Sequence, residues 1–237
     1  MRATTMHPDR FLSVTACVMV AIAGALALVV APPDAVQGQA QRLMYVHVPA
    51  AWTGYLGFCG VLLASLVYLR RGSMAADRCA LACAELGVAM TVLAIAVGSL
   101  WGRATWGTWW AWDARLVTTA LMVLVYLAYL IQRRLGRDRT RTAKRSAIFG
   151  VAAFAVLPVV HFSVLWWRTL HQPPTILAPD PTPPIAPVMA LTLACSGVAF
   201  TLMAAWAVRA RLHRLRRSTP VTVSARRQKE VVPSATG

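Results

Sequence analysis

Between Trp101 and Leu116 the chain reads W-G-R-A-T-W-G-T-W-W-A-W-D-A-R-L, so five of its nine tryptophans fall within sixteen residues. Indole faces at this density form a broad, flat, apolar surface, and Asp113, Arg103 and Arg115 place charge beside it. Such a surface suits a flat apolar ligand that carries anionic groups. Two histidines add metal chemistry. His47 lies in Y-V-H-V-P-A-A-W and His171 in W-W-R-T-L-H-Q. Neutral imidazole is a common metal ligand, and one ring from each side supplies both axial positions of a haem iron. Haem therefore becomes the candidate ligand, with Arg103 or Arg115 available to its propionates through charge-assisted hydrogen bonds. If Trp106–Asp113 is helical, Trp106, Trp109, Trp110 and Asp113 share one side at i, i+3, i+4 and i+7.

These residues must be held by membrane-spanning elements. The 237 residues are 58% hydrophobic and only 14% charged, with a mean hydropathy of +0.57, whereas soluble domains carry about 25% charged residues. A bilayer crossing takes roughly 17–25 mostly apolar residues. The charge-free intervals predict six such helices, near Phe11–Ala31, Ala50–Leu69, Cys79–Leu100, Leu116–Ile131, Ala147–Trp167 and Ala186–Val208. The fold class expected is an all-α integral membrane protein with the tryptophan segment between helices three and four. One domain is expected over residues 1–217, followed by a disordered polar tail at 218–237.

The net charge of +16 reads as a topology signal rather than as a nucleic-acid surface. Twenty of the twenty-four Lys and Arg residues fall in the termini and alternate loops, leaving Arg42, Arg103, Arg115 and Arg168 on the other side. The positive-inside rule then puts both termini in the cytoplasm. Membrane lipids are an expected secondary partner of the basic loops. The segments expected outside are Pro32–Pro49, Trp101–Ala114 and Arg168–Ile185, the last rich in proline. His47 and His171 would thus share a membrane face with the tryptophans. The first apolar run exceeds the 7–15 residues of a signal-peptide core, so it reads as a retained helix.

Other features narrow the chemistry. There is no G-x-x-x-x-G-K-[ST], and the lysines are Lys144 and Lys229, so ATP-driven work needs other subunits. Cys17, Cys59, Cys79, Cys83 and Cys195 lie in predicted spans and read as small hydrophobes, with Cys79 and Cys83 on one helical face. Glu85 is expected to snorkel or to pair with Arg78 or Arg70. Asp113 reads either as part of the ligand surface or as the cap of the helix starting at Ala114. His161, about 9 Å inside span five, is either a hydrogen-bonded packing residue or a point on a ligand path. Bland readings also stand: tryptophans concentrate at bilayer interfaces, and a loop histidine is often a bystander. A ligand-free scaffold and a secondary transporter with a midplane site are the rival functions.

The residues also resemble a known family. W-G-T-W-W-A-W-D-A-R-L at Trp106–Leu116 is similar to the tryptophan-rich "WWD" signature of haem-handling membrane proteins of cytochrome c maturation. V-H-V-P-A-A-W at Val46–Trp52 and V-V-H-F-S-V-L-W-W-R-T-L-H-Q at Val159–Gln172 resemble the haem exporter protein C family more narrowly. The resemblance runs from about Tyr45 to Gln172. It implies haem b as the cargo, His47 and His171 as external iron ligands, and a platform comprising Trp101, Arg103, Trp106, Gly107, Thr108, Trp109, Trp110, Trp112, Asp113 and Arg115. It implies a non-enzymatic protein of the bacterial inner membrane that delivers haem to a periplasmic haem chaperone. Its implied partners are ABC-type transporter subunits and a small single-span membrane subunit, with no nucleic acid. Longer haem lyase subunits share the tryptophan signature and form the neighbouring alternative. The chain departs from the pattern at Val117, where a threonine is usual, at Pro173-Pro174, where a glycine is usual, and at Glu85.

Overall fold

The computed structural model describes residues 8–171 and 185–217. The tail at 218–237 and most of the proline-rich outer segment lie outside the described residues, and so do the expectations attached to them. Seven α-helices occur among the described residues: α1 Pro8–Ala25, α2 Met44–Arg71, α3 Met74–Trp106, α4 Ala114–Leu135, α5 Arg139–Ala153, α6 Val156–Trp166 and α7 Pro187–Arg217. They make six helical segments long and apolar enough to cross a membrane, with α5 and α6 together forming the fifth.

Short-range chemistry sets the helix ends. Gly72 takes a left-handed conformation (φ 61°) after α2, and Ser73 caps α3 through Ala76 N. Asp138 caps α5 in the same way through Arg141 N. α1 widens into a π-helical turn at Leu26–Val30, which loosens its last carbonyls. Arg42 donates to two of them, Ala27 O and Ala31 O. A guanidinium at a helix C-terminus satisfies orphan carbonyls and opposes the helix dipole.

Three expectations need correction. The first outer segment does not extend to Pro49: Gln39–Leu43 is a 3-10 turn and α2 begins at Met44, so His47 sits on a helix. Pro49 is tolerated there because it disrupts only hydrogen bonding in the opening turns. The fifth span is not one helix; it breaks at Phe154–Ala155, four and three residues before Pro158. Proline lacks the N–H that would bond Phe154 O, and Leu157 N takes that acceptor instead at 3.0 Å. The segment Gly107–Asp113 is not helical. Gly107 ends α3 with φ 76°, and Asp113 starts α4 by accepting from Leu116 N at 2.9 Å, so a terminator and a cap enclose it.

α2 and α3 form the central pair. Their backbones touch: a Cβ on Gly57 would lie 2.8 Å from Gly87 Cα, and one on Gly54 would lie 2.6 Å from Thr91 Oγ1. Small residues at a crossing allow this approach, which favours dispersion contact inside a membrane. The core continues through Phe58, stacked on Tyr126 at 3.8 Å, to Met122, Tyr129 and Val160. α1 packs chiefly on α7 at the margin of the bundle.

Two ion pairs join helices away from the tryptophan segment, one nearly buried and one partly exposed. Asp77 of α3 meets Arg133 of α4 at 2.7 Å with both side chains nearly buried. Glu85 pairs with neither Arg78 nor Arg70. Its carboxylate accepts two bonds from Arg211 of α7, at 2.6 and 2.8 Å. α7 reaches Arg217, nine residues beyond the expected end, and this extension carries Arg211 to Glu85.

Candidate functional site

The starts of α2 and α4 and the ends of α3 and α6 gather at one end of the bundle, around a cavity of about 160 Å³ that opens at its mouth. His47 arrives from the first turn of α2 and His171 from the segment after α6. Their ring centroids lie 6.1 Å apart with planes inclined at 39°. With a metal–nitrogen bond of about 2 Å, two imidazoles sharing one iron have centroids roughly 6 Å apart. The two rings are therefore close enough that His47 and His171 could hold one metal-centred ligand together.

His47 is fixed by its surroundings. Its Nδ1 lies 2.8 Å from Ala94 O of α3, which assigns that nitrogen as the donor and leaves Nε2 with the ring's lone pair. A second-shell carbonyl of this kind orients a metal-binding imidazole and raises its basicity. The ring meets Trp101 edge-on at 5.7 Å. It has room because residue 98 is glycine: a Cβ there would come within 2.7 Å of His47 Cε1. Gly98 and Gly102 form a G-x-x-x-G pair at the end of α3, and Gly102 also lines the cavity beneath Trp106.

The tryptophan segment divides between lining and support. Trp101, Trp106, Trp109 and Trp110 line the cavity. Trp101 Nε1 donates to Gln37 Oε1 at 2.8 Å, whereas Trp110 Nε1 is buried with no hydrogen-bond partner. A buried donor without an acceptor carries a desolvation cost until a ligand oxygen reaches it. Trp112 is 87% exposed and lies outside the cavity lining, edge-on to Trp110. Gly107 is the helix stop, and Arg103, outside the cavity lining, donates to Gly107 O. Thr108 steadies the segment by donating to Trp110 O at 2.9 Å, and Ser99 Oγ donates to Trp109 O at 2.6 Å.

Asp113 serves two elements. One carboxylate oxygen caps α4, and the other accepts from Leu170 N at 3.1 Å, one residue before His171. The acid thus fixes the segment carrying His171 to the end of the tryptophan segment. Thr169 Oγ1 accepts from His171 N at 2.8 Å and tightens the same turn. Arg115 lines the cavity and donates through Nη1 to Val160 O and His161 O at 2.7 and 3.2 Å. Those bonds join α4 to α6 and hold the guanidinium at the cavity wall. His161 packs against Tyr55 and Phe162, outside the cavity lining. Sequence reasoning missed Gln37, Tyr55, Gly98, Gly102 and the Ala94 carbonyl. The G-x-x-x-G spacing was a usable signal for the two glycines; the others had none.

A comparison with known families matches residues 2–228 to the family described as "Heme exporter protein C". The chain belongs to this family. Members named Heme exporter protein C include one from Bradyrhizobium diazoefficiens, 38% identical over 180 residues that cover 72% of this chain and 68% of that one. Another, from Escherichia coli, is 33% identical over 175 residues, covering 74% and 70% respectively. A putative cytochrome c biosynthesis ccmC-like mitochondrial protein of Marchantia polymorpha is 35% identical over 158 residues, covering 67% of each chain. As a haem exporter protein C family member, the chain is a multi-pass helical membrane protein.

Proposed function

We propose that this protein handles haem for cytochrome c biogenesis, holding haem b as cargo between His47 and His171 at the outer face of a bacterial inner membrane. The observation that carries the reading is the 6.1 Å separation of two imidazoles brought from different elements to one tryptophan-lined cavity. The chain's contribution is binding and orientation. The Ala94 carbonyl holds His47 in the ligating tautomer, and Asp113 holds the turn that carries His171. Trp101, Trp106, Trp109 and Trp110 offer ring faces and edges to a flat macrocycle. The unpartnered Trp110 indole N–H and the Arg115 guanidinium suit the carboxylates of such a ligand.

The charge distribution supports the topology, with both termini in the cytoplasm and the cavity facing the periplasm. Trp112, exposed beside the cavity, marks the edge from which a periplasmic haem chaperone would collect the cargo. ABC-type transporter subunits and a small single-span subunit complete the proposed assembly, in keeping with the exporter name of the relatives. No bond-making step is assigned to this chain. The test is absorption spectroscopy of protein purified from haem-replete cells. A Soret band that disappears in the double substitution His47→Ala, His171→Ala supports the reading. A colourless wild-type protein would favour a ligand-free scaffold.

A further inference from the structure

At the opposite end of the bundle, the start of α3, the end of α4, the start of α5 and the end of α7 line a second, open recess of about 490 Å³. Six arginines and two acids line it. Arg133 is matched by Asp77 and Arg211 by Glu85 in the ion pairs described above. Arg78, Arg134, Arg137 and Arg139 remain, and none of them has a carboxylate partner among the described residues. Arg78 Nε is buried and has no hydrogen-bond partner. Four like charges round one recess repel each other, and a buried guanidinium donor without an acceptor is costly. Both costs fall when an anion with several acceptor oxygens enters. Leu81, Leu130 and Leu215 line the same recess, so the charged rim adjoins apolar surface.

From this juxtaposition we propose a binding site for an anionic phospholipid, with its phosphodiester among Arg78, Arg134, Arg137 and Arg139 and an acyl chain along the leucines. Arginine suits this role because its planar fork binds phosphate oxygens in pairs. Basic recesses between transmembrane helices on the cytoplasmic side bind such headgroups in general. A free phosphate shares the headgroup chemistry but makes no use of the leucines. The site is separate from the haem cavity and tests independently of it.

The test is native mass spectrometry of the full-length protein released from detergent micelles containing phosphatidylglycerol or phosphatidylcholine. The expected result is a retained phosphatidylglycerol adduct, no comparable phosphatidylcholine adduct, and little competition from excess inorganic phosphate. Arg137→Gln with Arg139→Gln should weaken retention roughly thirtyfold, the effect of about two arginine contacts. Neither side chain makes an interhelical bond among the described residues, so this variant should keep the wild-type melting temperature. Adding Arg78→Gln should abolish the adduct. Equal retention of both lipids, displacement by inorganic phosphate, or an undiminished adduct in the folded double variant would overturn the proposal.

Discussion

His47 and His171 are held in unequal ways, and this predicts unequal consequences when they are altered. His47 is anchored by the Ala94 carbonyl and packed on Gly98, whereas His171 follows a turn secured through Thr169 and Asp113. His171→Ala should keep part of the haem on His47 and shift the spectrum towards five-coordinate iron. An unchanged spectrum would transfer the ligand role elsewhere, with His161 the next candidate. Gly98→Val should act through His47 without touching the ligand list. A side chain there meets the imidazole at about the 2.7 Å of its Cβ, pushes the ring off Ala94 O, and weakens six-coordinate binding. Gly98→Ala should do the same to a smaller degree, and a wild-type Soret spectrum in the valine variant would contradict this account of the glycine.

Helices position these side chains through contacts that polarity alone does not reveal. α2 carries His47, α3 carries Trp101 and Ala94, and the two are joined where Gly57 meets Gly87. Gly57→Leu must separate the backbones, since its Cβ would sit 2.8 Å from Gly87 Cα. Overpacking of this kind costs about 1–3 kcal/mol. The expected readouts are a lower melting temperature in detergent and reduced haem retention, because the two halves of the proposed haem site move apart. The spans themselves were legible from apolar length and basic flanks. The break at Pro158 had a visible cause in the sequence, but a single long apolar run concealed it. The condition that Trp106–Asp113 be helical is not met, because indole spacing at i, i+3 and i+4 also occurs in a segment fixed at both ends by Gly107 and Asp113.

Across the full chain, two cavities sit at opposite ends of one bundle, linked by the length of α3 and α4. The tryptophan end is built from α2, α3, α4 and the segments that follow α3 and α6. Truncation after Arg217 should therefore leave the Soret band intact; its loss would give the tail a structural role. Net charge, span number and the candidate ligand set could be read from the chain because they depend on residue type and on the fixed thickness of a bilayer. The ion pair of Glu85 with Arg211, 126 residues away, could not, because carboxylates have many arginines to choose from until helices pack. The same holds for the Ala94 carbonyl on His47 and for the grip of Asp113 on Leu170. Backbone acceptors carry no sequence signature, and directional bonds a few ångströms long exist only after distant segments have been brought together.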